Sequence, residues 1–344
     1  MSRPLISILT PVYNHSSYIE QTIHSVFNQT YQNWEWIIVD DGSTDRTGTI
    51  LSGVRDSRIK YIFQEHAGID HLTRTYNKAL MMCSGDFIAM LDGDDYWPEY
   101  KLEAQVKDFN SPDIVLSYGE CIIVNRNGRK IYYRTLPHDR YIANNDPVGS
   151  SLELLLLKRN CFITNSTVML KKKVLSDIGG FLDISGLAHD FTTWTRLSLE
   201  GRFAGKPLCL GYWRRHLSST NYNRSPEVLW NSGLDFLREF VSLNKQKLVD
   251  LGFFYEKEIL EAYWEELNRH MHYYNRAIIA LSSGSFSDGK AAFRKYLEGD
   301  ASLKQRLLHF TILLSSLIRF DLVNPLLSFK SSADKIKMYV IGKR

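Results

Sequence analysis

The stretch FIAMLDGDD, residues 87–95, is the most informative part of this 344-residue sequence. Its first five residues are apolar and predict a buried strand, and three carboxylates follow within four positions. Asp92 and Asp94 alternate on an extended backbone and can face one ion, and Gly93 lets a ligand approach the backbone. Hard cations such as Mg2+ and Mn2+ take oxygen ligands. The stretch predicts a divalent metal site, with a solvated acidic turn as the alternative.

Strand and helix patterns alternate on both sides of this stretch. Strands are predicted at residues 5–9, 34–39, 59–63, 87–91 and 114–118, with helices in the intervals. The alternation predicts an α/β fold with a mostly parallel sheet between helices. Ligands of such sheets bind beyond the carboxyl ends of the strands. The turn Asp40-Asp41 also follows a predicted strand, so we expect both acidic turns on one rim of one sheet.

The pattern changes in the second half of the chain. Asn127-Gly128 between two strand-like segments predicts a hairpin, and residues 134–150 are polar and irregular, which indicates a loop. Beyond about residue 225 long helical patterns replace strands. We therefore divide the chain into an α/β domain over residues 1–225 and a smaller α-helical region over residues 226–344. The second region is a candidate surface for self-association, a partner or a membrane.

Charge is unevenly distributed along the chain. The formal net charge of +4 is too small to indicate nucleic acid as a partner. Residues 301–344 carry eight Lys or Arg against two Asp, a local charge of +6. A basic tail on a nearly neutral body predicts contact with an anionic surface, most simply a membrane face. A solvated helical tail is the alternative.

The cysteines and the apolar segments indicate the cellular compartment in which the protein is expected. No two cysteines have metal-ligand spacing, which predicts free thiols in a reducing cytosol. The first strand is too short for a signal peptide, and no run reaches the roughly 20 apolar residues of a membrane-spanning helix. These features predict a cytoplasmic protein, with a peripheral position on the cytoplasmic face of the membrane as the second expectation. The cysteines are Cys83, Cys121, Cys161 and Cys209.

Seven short motifs occur in order between residues 4 and 220. They are TPVYN (10–14), VDDGSTD (39–45), NKA (77–79), GDFI (85–88), LDGDD (91–95), HD with Trp194 and Arg196 (189–196), and WRRH (213–216). Their order resembles that of the inverting glycosyltransferases of family 2, which have the nucleotide-sugar-binding fold called GT-A. The resemblance implies metal-dependent transfer of a sugar from a nucleotide donor, usually a UDP-sugar, to an acceptor hydroxyl.

The resemblance also implies a nucleotide-binding role for several residues. Tyr13 would stack on the base, Asp41 would accept from the imide N–H of uracil, and Asp92 would bind ribose or sugar hydroxyls. A half-buried tyrosine, a turn-forming aspartate and a helix-surface arginine are the alternatives for Tyr13, Asp41 and Arg74. The residues with this implied role are Thr10, Pro11, Tyr13, Asp41, His66, Arg74 and Asp92.

Metal and diphosphate binding are implied for the acidic turn and the WRRH motif. Asp94 would contact Mn2+ or Mg2+ directly, and His216 would join it. The ion would neutralise charge that builds on the departing diphosphate. Asp95 would support the cluster, and Arg214 and Arg215 would bind the diphosphate, since arginine forks match phosphate oxygens. A basic surface loop with a structural histidine is the alternative for the WRRH motif.

Asp190 is implied to be the general base. A positioned carboxylate can take the proton of an acceptor hydroxyl as that oxygen attacks the anomeric carbon. The family often has Glu-Asp here, whereas this chain has His189-Asp190. A first-turn acid that favours the helix dipole is the alternative.

The implied partners are a nucleotide-sugar donor and a saccharide or lipid-linked saccharide acceptor, in the synthesis of a surface or exported polysaccharide. Two other functions compete. A nucleotide-sugar-forming nucleotidyltransferase needs a Gly-rich basic loop after the first strand, and residues 11–15 contain no Gly, Lys or Arg. A non-catalytic sugar-nucleotide-binding scaffold would not require Asp190.

Overall fold

Within the residues that the structure describes, the protein folds around one eight-stranded sheet with helices packed against it. The computed structural model describes residues 3–134, 163–182, 189–219, 226–252 and 284–296, with short pieces at 136, 148, 150–153, 155, 273, 276–277 and 279–281. The strands are β1 (Ile6–Val12), β2 (Trp34–Asp40), β3 (Ile59–Phe63), β4 (Phe87–Met90), β5 (Ile114–Asn125), β6 (Lys130–Arg134), β7 (Met169–Lys171) and β8 (Arg202–Arg215).

Helices lie between and after the strands. They are α1 (Ile19–Phe27), α2 (Thr47–Gly53), α3 (Leu72–Met81), α4 (Lys101–Val106), α5 (Ser150–Glu153), α6 (Lys172–Asp177), α7 (His189–Leu197), α8 (Pro226–Leu243), α9 (Lys245–Asp250) and α10 (Phe286–Tyr296). Short 3-10 turns occur at Ile69–His71, Lys107–Asn110 and Asn165–Thr167.

The half of the sheet ordered β3-β2-β1-β4 is parallel throughout. This confirms the predicted alternation, since a helix after each strand returns the chain for the next parallel strand. Val12 pairs with Asp40 across β1 and β2, and Leu9 pairs with Met90 across β1 and β4. The carboxyl ends of these three strands therefore meet at one rim.

The other half of the sheet is mixed, which qualifies the predicted mostly parallel arrangement. β7 is antiparallel to β4 and β5, β6 is antiparallel to β5, and β8 is parallel to β5. β5 and β6 are joined by the predicted hairpin, in which Gly128 has a φ of 76°. A tight turn of this kind joins antiparallel neighbours only.

Apolar side chains cover both faces of the parallel half. Along β2, Trp34, Trp36 and Ile38 belong to one core cluster, whereas Ile37 and Val39 belong to the other. Burial on two faces explains why these strands are nearly continuous apolar runs. Polar side chains able to carry chemistry are therefore concentrated where the strands end.

The first helix after the predicted domain boundary packs against α7. The ring of Phe236 on α8 lies 5.8 Å from that of Phe191 on α7, edge to face, and both belong to a core cluster with Leu199 and Phe240. The helical pattern predicted after residue 225 is confirmed for α8 and α9. The division of the chain at residues 225 and 226 stays a prediction.

Two predicted features lie outside the described residues, namely the basic tail at 301–344 and most of the loop at 134–150. In the part of the chain that the structure describes, no helix is both long and apolar enough to cross a membrane. Cys83, Cys121 and Cys209 are free thiols, as predicted. The fourth cysteine, Cys161, is also outside the described residues.

Candidate active site

The loops that follow β1, β2 and β4 are tied together at the rim. The backbone N–H of Asp41 donates to the carbonyl oxygen of Val12 at 2.9 Å, and that of Leu91 donates to Leu9 at 3.0 Å. These bonds place the acidic turns after β2 and β4 on one edge of the sheet. The expectation of a shared rim is confirmed.

The loop after β1 has a buried base and an exposed tip. Thr10 and Pro11 are buried, and Thr10 Oγ1 accepts from Trp36 Nε1 at 2.8 Å. Asn14 has a φ of 55°, a conformation that Asn tolerates better than most residues. Its Oδ1 accepts from the backbone N–H of Thr44 at 2.8 Å. These contacts shape the loop that presents Tyr13.

The segment 64–68 closes around the carboxylate of Asp41. Gln64 Nε2 donates to Asp41 Oδ1 at 2.6 Å, and the backbone N–H groups of Ala67 and Gly68 donate to Oδ1 and Oδ2 at 3.1 and 3.2 Å. His66 Nδ1 lies 2.9 Å from Oδ2. The structure thus brings Asp41 and His66 together, and the Asp41 carboxylate holds segment 64–68 in place through these contacts.

His66 of this segment forms a stacked aromatic pair with Tyr13. Their ring centres are 3.9 Å apart and their planes differ by 13°. Tyr13 is 39% exposed, so the pair offers an aromatic face at which a base can stack. Arg74 is exposed on α3. The nucleotide roles of these residues stay predictions.

Asp92 is held by two polar side chains. Tyr76 donates its hydroxyl to Asp92 Oδ1, and Asn165 Nδ2 lies 3.1 and 3.2 Å from the two carboxylate oxygens. Burial raises the pKa of Asp92 to about 6, and the charge of Asp94 acts in the same direction. Tyr76 and Asn165 were not predicted as neighbours of the acidic turn, because Tyr76 has the spacing of a core residue on α3 and Asn165 is 73 positions away.

Asp95 is fully buried and joins the acidic turn to β8. It accepts from the hydroxyl of Ser166 and from the backbone N–H of Arg214, the latter at 2.8 Å. Burial, with the charges of Asp94 and Asp92, raises the pKa of Asp95 well above its usual range. Its predicted role in support of a metal and diphosphate site stays a prediction.

Asp94 faces His216 across the rim. Asp94 Oδ2 lies 2.9 Å from His216 Nε2, and His216 Nδ1 lies 2.8 Å from Ser218 Oγ. Burial alone would raise the pKa of Asp94, but His15 and His216 outweigh it and bring the pKa to about 2. Asp94 is therefore ionised at neutral pH, as a metal ligand must be.

The Asp94 and His216 pair has donor chemistry that suits Mn2+ or Mg2+. A carboxylate oxygen and an imidazole nitrogen are both ligands for Mn2+. Among the residues described, no group of three or more His, Cys, Asp or Glu has metal-site geometry. An ion here would take its remaining ligands from water or a substrate diphosphate.

His15 is a neighbour of this pair that the sequence analysis missed as a candidate. Its Nδ1 atom is buried and has no hydrogen-bond partner in the described part of the chain. Burial lowers the pKa of His15, while the charge of Asp94 opposes that change. The TPVYN motif ends one residue before His15, and this adjacency was the signal available in the sequence.

Glycine is needed at position 93 for a reason other than the one predicted. We expected a close approach of ligand to backbone, but protein atoms fill the space. A Cβ at Gly93 would lie 2.4 Å from Val12 Cγ1, 2.6 Å from His15 Nδ1 and 3.2 Å from the Pro11 carbonyl oxygen. Gly93 lets the loop after β1 pack on the acidic turn.

Replacing Gly93 with Ala is expected to displace this loop and destabilise the protein by about 1–3 kcal/mol, the usual range for overpacking. Thermal unfolding of the variant measures the loss of stability. Gly53→Ala is the control, because its Cβ would meet nothing within 4 Å. Equal melting temperatures for the two variants would contradict the packing explanation.

The two arginines of the WRRH motif point in different directions. All three side-chain nitrogens of Arg214 are engaged by the protein, with donation to the Asp94 carbonyl at 2.8 Å, Gln21 Oε1 at 2.6 Å and the Arg126 carbonyl at 3.0 Å. Arg215 instead lies against the ring of Trp213, 4.7 Å from its centre. Diphosphate binding by either arginine stays a prediction.

Asp190 lies in the first turn of α7, near Asp92. Its Oδ1 accepts from the backbone N–H of Phe191 at 2.7 Å, and its charge acts on both Asp92 and Tyr76. The ring of His189 packs 4.2 Å from that of Tyr76. This packing brings the start of α7 to the acidic turn.

Phe181, which precedes α7 in the chain, is held to α3 by two hydrogen bonds. Asn77 Nδ2 donates to the Phe181 carbonyl at 2.7 Å, and the Phe181 N–H donates back to Asn77 Oδ1 at 2.9 Å. Arg196 Nη1 donates to the Gly180 carbonyl at 3.2 Å. Asn77 and Arg196, two residues of the quoted motifs, therefore hold Gly180 and Phe181, and the ring of Phe181 lies 5.7 Å from that of His189.

Comparison with known proteins agrees with this arrangement. Residues 7–179 match the family model described as Glycosyl transferase family 2. A Bacillus subtilis (strain 168) protein named as a teichuronic acid biosynthesis glycosyltransferase, TuaG, is 32% identical over 225 residues, which cover 64% of this chain and 83% of that protein. The Escherichia coli protein WfaP, named as a UDP-Glc:alpha-D-GlcNAc-diphosphoundecaprenol beta-1,3-glucosyltransferase, is 28% identical over 67% of this chain and 85% of its own length.

A solved structure is similar over nearly the whole chain. The crystal structure of S. aureus TarS 1-349 in complex with UDP-GlcNAc superposes with a TM-score of 0.55 and 15% sequence identity. The match covers 96% of this chain and 92% of that one. The likeness confirms the predicted GT-A fold.

Proposed function

The chain belongs to glycosyl transferase family 2, and we propose that it is a metal-dependent, inverting enzyme that moves a sugar from a UDP-sugar to an acceptor hydroxyl. One observation carries the proposal. The charge of Asp92 interacts with that of Asp94, which pairs with His216, and with that of Asp190. A leaving-group site and a proton acceptor next to one another suit a single displacement.

The residues around Asp41 support a UDP-sugar as the donor. The exposed face of the Tyr13 and His66 pair suits a base. The carboxylate of Asp41 would accept from the imide N–H of uracil in exchange for one of the bonds that it now makes with segment 64–68. The names of the comparison proteins include UDP-Glc for WfaP and UDP-GlcNAc for TarS. We therefore propose a UDP-sugar, with the identity of the sugar open.

Asp94 and His216 would hold the divalent ion, Mn2+ or Mg2+. When bound, the ion supplies positive charge that favours departure of the diphosphate. Because the pKa of Asp94 is held near 2, its carboxylate needs no change of protonation to accept the ion at neutral pH.

Asp190 would act on the acceptor. Its carboxylate takes the proton of the acceptor hydroxyl while that oxygen forms a bond to the anomeric carbon of the donor sugar. The bond from that carbon to the diphosphate breaks, and UDP leaves. Attack opposite the leaving group inverts the anomeric configuration and requires no covalent intermediate on the protein.

The acceptor is proposed to be a saccharide, most simply one linked to a lipid, in assembly of a surface or exported polysaccharide. The names of TuaG and WfaP support this class. The basic segment 301–344 would then contact the cytoplasmic face of the membrane, and we propose the helical region from residue 226 onward as the unit that brings it there.

The direct test is a donor screen. The protein is incubated with Mn2+ and each of several UDP- and GDP-sugars, with free and lipid-linked saccharides as acceptors. UDP release identifies the donor, and mass analysis of the products identifies the acceptor. Release of GDP alone would contradict the UDP assignment, and retention of the donor's anomeric configuration in the product would contradict inversion.

A further inference from the structure

Strand β8 directs its last two side chains to opposite faces of the sheet. Side chains alternate along a strand, so the Arg214 guanidinium reaches Asp94 while that of Arg215 turns away from it. Arg215 lies 4.7 Å from the ring centre of Trp213 and 5.5 Å from that of Tyr132. It is therefore poorly placed to bind a diphosphate held at Asp94.

Two of the three guanidinium nitrogens of Arg215 are buried without a hydrogen-bond acceptor. The residue is 3% exposed, and its Nε and Nη1 atoms have no hydrogen-bond partner among the residues that the structure describes. Burying a cationic donor without an acceptor is costly. The two aromatic rings recover part of that cost through cation–π attraction, but they do not satisfy the N–H groups. An anion would satisfy them.

A second guanidinium lies on the same aromatic ring. Arg134 is 5.7 Å from the ring centre of Trp213, and its Nη1 donates to Thr164 Oγ1 at 3.3 Å. The residue after Thr164 is Asn165, whose amide binds the carboxylate of Asp92. The cluster of Tyr132, Arg134, Trp213 and Arg215, here termed the basic-aromatic patch, therefore adjoins the Asn165 side of the acidic turn.

We propose that the basic-aromatic patch binds the diphosphate of a lipid-linked acceptor, through which the acceptor saccharide is joined to its lipid. The inference rests on the proposed function, in which Asp190 receives the acceptor hydroxyl. Arginine forks match phosphate oxygens with paired hydrogen bonds. The donor diphosphate belongs at Asp94 and His216, so the chain provides separate sites for two diphosphates.

Calorimetry on protein saturated with UDP and Mn2+ tests this, because the donor side is then filled. The probes are octyl N-acetylglucosaminyl diphosphate and octyl N-acetylglucosaminide, which differ only in the diphosphate. We expect the wild type to bind the diphosphate ester at least 10-fold more tightly. Arg215→Gln should lose at least 10-fold in affinity for the ester and less than 2-fold for the neutral glycoside.

Arg129→Gln is the matched control, since it removes an exposed charge from the β5–β6 hairpin and should behave as wild type. Arg134→Gln should also weaken binding of the diphosphate ester. This second variant keeps the test decisive if Arg215→Gln fails to fold. Unchanged selectivity in both variants overturns the proposal. If inorganic pyrophosphate binds as tightly as the diphosphate ester, the assignment of the basic-aromatic patch to the acceptor is overturned. UDP is titrated before the acceptor probes, and this step reports on the donor site alone. Absence of UDP binding would therefore count against the proposed function and not against the basic-aromatic patch.

Discussion

Replacing Asp190 with Asn is expected to lower the rate of sugar transfer by about 100-fold to 10,000-fold, the usual range for loss of a general base. The amide keeps the shape of the carboxylate and can still accept the Phe191 N–H bond. It cannot take the proton of the acceptor hydroxyl. Single-turnover transfer with the donor identified in the screen measures the loss, and titration of UDP with Mn2+ should give a dissociation constant within 2-fold of wild type.

Asp177→Asn is a suitable control for Asp190, because Asp177 is an exposed acid on α6 that pairs with Lys173 four residues earlier. That variant should transfer sugar at the wild-type rate. Full activity of Asp190→Asn would remove it as the base. Parallel loss of UDP binding and transfer would instead assign Asp190 to the structure of the rim.

Local sequence patterns predicted the position of the acidic turn but not its partners. Apolar runs and helical periodicity were enough to place Asp41 and Asp92 at the ends of parallel strands. The contact of Asp94 with His216 joins residues 122 positions apart, and that of Asp92 with Asn165 spans 73. Periodicity carries no information on contacts of that range. Only the resemblance associated His216 with the turn.

The direction of the two arginines could not be predicted from the WRRH motif. Which of them faces the acidic turn depends on the register of β8, and a slip of one residue exchanges the two faces. The pairing of β5 with β8 shifts register around Glu120, so counting from the start of the strand is unreliable. The structure was needed to separate Arg214 from Arg215.

The Asp94 and His216 pair carries the second large prediction, which concerns metal dependence. Metal bound here would bridge the protein and the nucleotide diphosphate, so it should strengthen UDP binding and leave uridine binding unchanged. For the wild type, we expect UDP affinity to fall at least 10-fold when Mn2+ is removed with EDTA. Uridine, which has no phosphate, reports on the base pocket at Asp41 alone.

Asp94→Asn should remove this metal effect. Its UDP affinity with Mn2+ should equal that of the wild type in EDTA, because a neutral amide is a far weaker metal ligand than a carboxylate whose pKa is held near 2. Asp86→Asn is the matched control, since Asp86 is an exposed acid at the opposite end of β4. Calorimetry of UDP and uridine, with Mn2+ and with EDTA, measures all four affinities. A persistent gain from Mn2+ in Asp94→Asn would place the ion elsewhere, and loss of uridine binding would show that the substitution disturbs the pocket as a whole.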